Sequence, residues 1–330
     1  MNIKKITLAV FLLTFLYSCK NTSAQEEDDT YINLEEYKLE DVEVPYYPDF
    51  KFTNATYDPD LEFIPTNVLN NTVLKTDYLG KVKEVVEYKK SGSDGYRRYS
   101  STKFYDENGY LIRSEYYGSE THYTYDKDYN LIKEVRTKAN DTTETVDYSY
   151  NDKHQLLTYV SKSLDGGEYD YNIVITYNQD GNPVELTNTH SNPEYNFKKV
   201  IEYDGNRVTE TKMKDSKVTR VETFIYSKEN NLLKHTFGYH ILFNTYNNKN
   251  ERTSQMTYRD REYCCTDYYE YDPYGNRLKW IFTNHLKHHK EIHTYDLKYD
   301  SHNNMIYEYS SNNVTSSAYE YTYDITYYDQ

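Results

Sequence analysis

The sequence predicts an all-β fold: a repeat array of antiparallel β-hairpins forming an elongated, curved or spiral sheet, open rather than a closed shell. An eight-residue device, fullest as Tyr-Asp-Pro-Tyr-Gly-Asn-Arg-Leu at 271–278, recurs down the chain. Ahead of each copy apolar and polar residues alternate, the period of a strand with one buried face. Composition agrees: the 330 residues include Tyr 43, Phe 11 and Trp 1 against Gly 11 and Pro 7. Aromatic and β-branched residues fit a pleated surface. A tyrosine ring with its polar tip suits a thin sheet whose faces are only partly dry.

The first residues carry an address. Lys4 and Lys5 precede an apolar run from Ile6 to Leu16, so residues 1–18 read as a secretory signal. The run is too short to stay in a bilayer as a spanning helix. Leu16-Tyr17-Ser18-Cys19 resembles the bacterial lipobox. That resemblance implies cleavage before Cys19, lipidation of its thiol and of the new amine, and a membrane partner reached through several acyl chains. An ordinary signal cut near Ala24 is the competing reading. Lys20 is not the aspartate that retains many lipoproteins at the inner membrane. Glu26-Glu27-Asp28-Asp29 is similar to the acidic export tethers of Bacteroidetes surface lipoproteins, which implies the outer membrane and its outer face.

Residues 19–63 read as an acidic tether. Between Lys20 and Phe63 there are 13 Asp or Glu against 3 Lys, with Pro45, Pro48 and Pro59 and few aliphatics. Like charges keep such a segment extended. Its later part, around Leu61 to Leu74, is expected to cap the first sheet edge. Residues 64–330 form the repeat domain. The net charge of -15 argues against a nucleic-acid partner, whose phosphates call for cations. Beyond Cys19 only Cys264 and Cys265 occur, so no disulfide framework staples the chain. Adjacent strand residues point to opposite faces, so this pair is expected to stay unbonded.

The copies run in order. Tyr105-Asp106 with Gly109 comes first, then Tyr125-Asp126, Tyr150, and Tyr177 with Gly181-Asn182. A shortened copy, Tyr203-Asp204, precedes Tyr226 and a degenerate copy at Tyr246. Tyr271-Asp272 with Gly275-Asn276 and Tyr299-Asp300 follow, and Tyr323-Asp324 begins another. Consecutive anchors from Tyr105 to Tyr299 stand 20 to 28 residues apart, room for two strands and two turns. An Asp or Asn after the anchor accepts a hydrogen bond from a backbone amide two residues on. Gly or Asn at the far corner supplies the left-handed backbone that closes the loop. Alternation places Ile173, Ile175 and Tyr177 on one face, and Val146, Tyr148 and Tyr150 likewise. After the turns, Ile112, Ile132, Leu157, Val184, Leu233, Leu278 and Ile306 share one offset. They are expected to form an aliphatic ladder beside a ladder of rings.

The pattern Y-D-x-x-G-N-x-L at these spacings resembles the YD repeat of RHS-type proteins, and it covers the chain from about Tyr78 to Tyr323. Large members of that family wind such hairpins into a spiral β-shell around a toxin or peptide. This chain has too few repeats for that shell and shows neither an RHS core region nor a toxin domain. The resemblance therefore implies the hairpin array alone.

Candidate chemistry is sparse. His289, Glu291 and His293 project on one face if a strand runs through them, a donor set suited to zinc or copper. The plainer reading is a solvated hairpin tip, with no metal and no cofactor. Asp126, Asp128 and Asn130 imitate a calcium loop, but Leu131 stands where the glycine belongs and no closing glutamate follows. No nucleophile elbow or other catalytic set is present, so no enzyme is expected. The function expected is a non-catalytic surface module that binds or scaffolds a glycan or protein partner, since arrays present long surfaces. The alternative is a metal-dependent protein using the His285–His293 cluster.

Overall fold

The structure, a computed structural model, describes residues 44–52 and 78–328 apart from 92–95, 140, 165–169, 261 and 316–317. The signal, Cys19, most of the tether and the Leu61–Leu74 stretch lie outside the described residues. Twenty strands follow one another. They begin with β1 (Val82–Ser91), β2 (Arg98–Tyr105), β3 (Leu111–Tyr116), β4 (Ser119–Tyr125), β5 (Leu131–Lys138) and β6 (Asp141–Tyr150). Next come β7 (Leu156–Ser163), β8 (Tyr171–Tyr177), β9 (Pro183–His190), β10 (Phe197–Asp204), β11 (Arg207–Lys214) and β12 (Lys217–Tyr226). Then follow β13 (Leu232–Phe237), β14 (His240–Tyr246), β15 (Arg252–Arg259) and β16 (Glu262–Tyr271). The last are β17 (Arg277–Asn284), β18 (His289–Tyr299), β19 (Met305–Asn312) and β20 (Ala318–Tyr327).

Each strand pairs antiparallel with its neighbours in sequence. The ends also meet: β1 pairs with β20 from Val82↔Tyr327 to Ser91↔Tyr319. The sheet is therefore a closed 20-stranded antiparallel barrel, not the open array expected from the repeat count. The physical reason lies at the anchors. Tyr105, Tyr125, Tyr150, Tyr177, Tyr226, Tyr246, Tyr271 and Tyr299 each sit beside a break in register, where one strand carries an extra residue. Such bulges bend a strand and sharpen its twist. Closing twenty strands needs only about 18° of turn per strand. An even strand count then lets the ends meet antiparallel.

The same bulges correct the predicted aliphatic ladder. An extra residue reverses the alternation, so the inward side chains are Leu111, Leu131 and Leu156, one position earlier than expected. Ile112 and Leu278 are exposed, Leu278 at 37%. The face carrying the anchors is the buried one. Val146, Tyr148, Tyr159, Ile173, Ile175 and Leu186 are buried there, while Asp147, Ser149, Asn172, Val174 and Thr176 on the other face are exposed. Curvature crowds side chains on a concave side and splays them on a convex one, so the anchor face is the inner wall.

One bond recurs along that wall. The hydroxyl of Tyr125 donates to the carbonyl of Leu111 at 2.7 Å, and Tyr150 and Tyr177 do the same to Leu131 and Leu156 at 2.8 Å. Tyr203 donates to Pro183 at 2.8 Å, Tyr246 to Leu232 at 2.9 Å and Tyr271 to Arg252 at 2.8 Å. In every case the acceptor is the first residue of the strand after the previous turn. Tyr299 and Tyr327 reach instead to the carboxylates of Asp272 and Asp300. Tyr327, not Tyr323, thus fills the anchor role at the end, and Tyr323 lies mid-strand opposite Glu87.

The shortened repeat has its own use. Between Asp204 and Arg207 only Gly205 and Asn206 turn the chain, which lowers the rim there. Residues 45–48 cross over it: Tyr47 N–H donates to Asn206 Oδ1 at 2.8 Å, and Asn206 Nδ2 donates to the Pro45 carbonyl at 3.0 Å. A Cβ on Gly205 would meet the Tyr47 carbonyl at 2.5 Å, so glycine is required. Phe50 and Phe52 pack inside against Tyr203 and Tyr226, while Val44 packs with Phe243, Tyr258 and Tyr263, which lie on the outer face.

Two predictions follow from the bonds at the anchors and turns. Tyr177→Phe keeps the ring but leaves the Leu156 carbonyl without its donor, a loss of about 1 kcal/mol. Tyr177→Ala should cost about 3 kcal/mol, and Tyr274→Ala, at a 57% exposed position, no more than about 0.5 kcal/mol. Urea midpoints order the three, and a Tyr177→Phe chain as stable as the parent would sink the role given to the hydroxyl.

The second concerns acid. Burial pushes the carboxyls of Asp126, Asp272 and Asp300 up, but hydrogen bonds outweigh it and leave all three below their usual range. The donors are Asn130 for Asp126, Tyr299 with two backbone amides for Asp272, and Tyr327 with two backbone amides for Asp300. A folded pKa below the unfolded one gives stability that is complete above about pH 4 and is lost as pH falls through the folded value. Asparagine fills the same position at 151, 178 and 247. A chain with Asn at 126, 272 and 300 should therefore fold, and its urea midpoint should fall less than the parent's between about pH 5 and about pH 2.

Candidate functional site

The anchor turns form one rim of the barrel. Asp106 Oδ1 accepts from the amides of Asn108 and Tyr110 at 2.9 and 2.8 Å, and Asp126, Asp272 and Asp300 repeat the pattern. Asn151 and Asn247 do the same, and the Asn178 side chain holds the amide of Asn182. The far corner is left-handed at Gly109, Gly181 and Gly275, and equally at Tyr129, His154, Asn230, Asn250 and Asn303. Asp126 and Asp128 thus serve a turn, and the Asn130 side chain donates back to Asp126 Oδ2 at 2.8 Å. The rim is acidic, with Glu107, Asp128, Asp152, Asp180 and Asp204 beside the turn aspartates.

Inside, several charges are paired. Lys199 Nζ lies 2.9 Å from Glu210 Oε2, both buried, and Glu222 Oε2 lies 2.8 Å from His235 Nε2. Burial, then the charge of Glu222, pushes the Glu210 carboxyl up to about 8. The Tyr148 hydroxyl donates to Glu134 Oε1 at 2.5 Å.

The structure places His289, Glu291 and His293 on the inner face of β18, together with Trp280 and Phe282 of β17. His289 Nε2 is 2.8 Å from Glu291 Oε1, and His293 Nε2 is 3.4 Å from Glu291 Oε2. Asn312 Nδ2 donates to His293 Nε2 at 2.7 Å, and the His293 ring stacks on Trp280 at 4.4 Å. The carboxylate and the amide occupy the ring nitrogens, and among the described residues no three such groups converge as a metal site.

Cys264 and Cys265 depart from the expected geometry. Instead of pointing apart, their sulfurs lie 2.7 Å from each other.

The opposite rim is made of the remaining loops, and it holds what the sequence reading missed. Tyr96, Tyr116, Tyr117, Leu164, Tyr195, Val218, Tyr239, Leu286, Val314 and Tyr319 are exposed there. Basic side chains accompany them: Arg259 lies over Tyr239 at 5.5 Å and Lys89 over Tyr319 at 4.6 Å. A cavity of about 430 Å³ opens beside the β11–β12 loop, lined by Thr187, Lys198, Met213, Asp215 and Ser216 among others. The signal was present as rings at loop tips, Tyr116-Tyr117-Gly118 and Gly238-Tyr239, positions where strand alternation assigns nothing.

On the outer wall Lys198 lies 2.7 Å from Glu185 and Lys279 lies 3.5 Å from Glu270, with exposed Ile112, Val174 and Leu278 on the same face.

No family model and no curated protein matches this chain. Among solved structures it is similar to a porin-like protein from Bacteroides uniformis, at 12% identity and TM-score 0.34, over 75% of this chain and 98% of that one. It is also similar to the TcdB2-TccC3 structure, at 13% identity and TM-score 0.33, over 67% of this chain and 16% of that one. A Photorhabdus luminescens Tc holotoxin pore gives 10% identity and TM-score 0.22, over 72% of this chain and 18% of that one. At such scores the likenesses carry no argument about function. The chain is a β-rich repeat protein on its own pairings.

Proposed function

We propose that this is a YD-repeat lipoprotein without catalytic activity, held at the outer membrane through Cys19 with its barrel at the cell surface. There the barrel serves as a scaffold that binds a glycan or protein partner. The observation that supports this most is the division of labour among the tyrosines. Anchor hydroxyls are spent on backbone carbonyls and turn carboxylates, and their rings fill the inner wall. The rings left to meet a partner are those of the loop rim. Planar aromatics with polar tips are strong contact residues, for stacking on sugar rings and for protein surfaces alike.

Replacing three rim rings, as Tyr117→Ser with Tyr195→Ser and Tyr239→Ser, should leave the urea midpoint within about 0.5 kcal/mol, because all three are exposed. The same variant should lose partner capture on a glycan array and in pull-downs from surface extracts. Capture that is undiminished would move the binding surface elsewhere. Location is tested separately: Cys19→Ser should release the chain from the membrane fraction and abolish palmitate labelling. Labelling that persists in the variant would refute the anchor.

A further inference from the structure

We propose that Cys264 and Cys265 are a modification site: a pair of adjacent thiols that closes, on reaction with a disulfide oxidant, into a vicinal disulfide within β16. In a regular strand this could not happen, because neighbouring side chains leave on opposite faces. The pairing of β15 with β16 is irregular at this point. Thr257 stands opposite Cys265 and Tyr258 opposite Tyr263, so Cys264 is the extra residue of a bulge. A bulged residue departs from extended backbone and cancels the alternation. Both sulfurs consequently fall on one side, 2.7 Å apart. That separation is closer than two unbonded sulfurs keep and approaches the bond length of about 2.05 Å.

The bulge does not depend on the sulfurs. The His285 amide donates to the Cys264 carbonyl at 2.8 Å, and the His285 ring stacks on Tyr263 at 4.6 Å. His285 Nε2 also lies 3.0 Å from Thr266 Oγ1. The thiols are thus brought together by the fold before any oxidation. Both are half-buried, so a small reagent reaches them, and among the described residues there is no other cysteine.

The chemistry balances with one external disulfide. The Cys264 thiolate attacks a sulfur of the oxidant and releases one thiol, leaving a mixed disulfide. Cys265 then gives its proton to solvent and attacks Cys264 Sγ, and the second thiol departs. Two protein thiols become one disulfide as one disulfide becomes two thiols. Burial, and then its hydrogen bond with Cys264, push the Cys265 thiol up to about 12, which disfavours Cys265 as the opening nucleophile.

The test uses the full chain carrying Cys19→Ser, so that only the two thiols remain. It is incubated with oxidised glutathione, quenched with acid, and analysed by thiol titration and intact mass. The expected result is a fall from two titratable thiols to none, with the loss of two hydrogens, no glutathione adduct and no dimer. Dithiothreitol should restore both thiols. The same chain in urea should close several-fold more slowly, because the bulge that aligns the sulfurs is gone. Two surviving thiols in the folded chain, an accumulating glutathione adduct, or equal rates folded and in urea would overturn the proposal.

Discussion

A tyrosine hydroxyl bonded to a backbone carbonyl one hairpin away is the interaction on which the barrel depends. A bulge leaves ladder groups without their regular partners, and a buried carbonyl left without a donor costs about 1–3 kcal/mol. The anchor ring fills the inner wall while its hydroxyl satisfies that carbonyl, so a single residue type allows the bulge and closes the gap it makes. This gives the anchor positions their tyrosines, in a chain with little aliphatic content. It also explains why the turns are polar yet ordered. Asp272 and Asp300 hold their own loops and receive the hydroxyl of the next anchor, which couples each turn to its successor.

Much of this was legible in the residues. The Tyr-Asp device marked the hairpin turns, and the period-two runs before Tyr150 and Tyr177 marked inward faces. What escaped was the effect of one extra residue. Leu111 and Ile112 are adjacent and chemically alike, so only the register of the partner strand decides which turns inward. Closure escaped for a related reason: curvature accumulates from the bulges, and a list of repeats does not contain their angle. The copy at Tyr203 read simply as shortened, and the missing residues make the low point over which residues 45–48 pass. Cys264 and Cys265 are unbonded, as expected, but their closeness was not foreseen, because alternation was assumed where the ladder breaks. At the site, the strand through His289, Glu291 and His293 was foreseeable. The bonds of Glu291 and Asn312 that fill it were not, because Asn312 lies on a different strand.

The barrel has two unlike ends. Carboxylates gather at the anchor-turn rim, where the turns require them, while rings and cations gather at the loop rim, where the short loops make no such demand. The asymmetry therefore begins in turn chemistry. Asx turns need an acceptor side chain at a fixed position, and the two-residue loops opposite, such as Asp215-Ser216, need only left-handed backbone. Several large side chains at the loop rim, Tyr117, Tyr195 and Tyr239 among them, are left exposed.

The seam between β1 and β20 sets the order of assembly. Every other pairing joins strands next to each other in sequence, so hairpins can form locally and early as the chain emerges. β1 must wait for the last strand of all, holding one row of amides and carbonyls open in the meantime. An unpaired edge of this kind invites pairing with another chain. β1 carries Lys83, Glu84, Glu87, Lys89 and Lys90 among its valines. Those charges keep strangers off the edge until β20 arrives. Closure of the barrel is thus the final event of folding, and the N-terminal strand carries its own guard against ending that wait with the wrong partner.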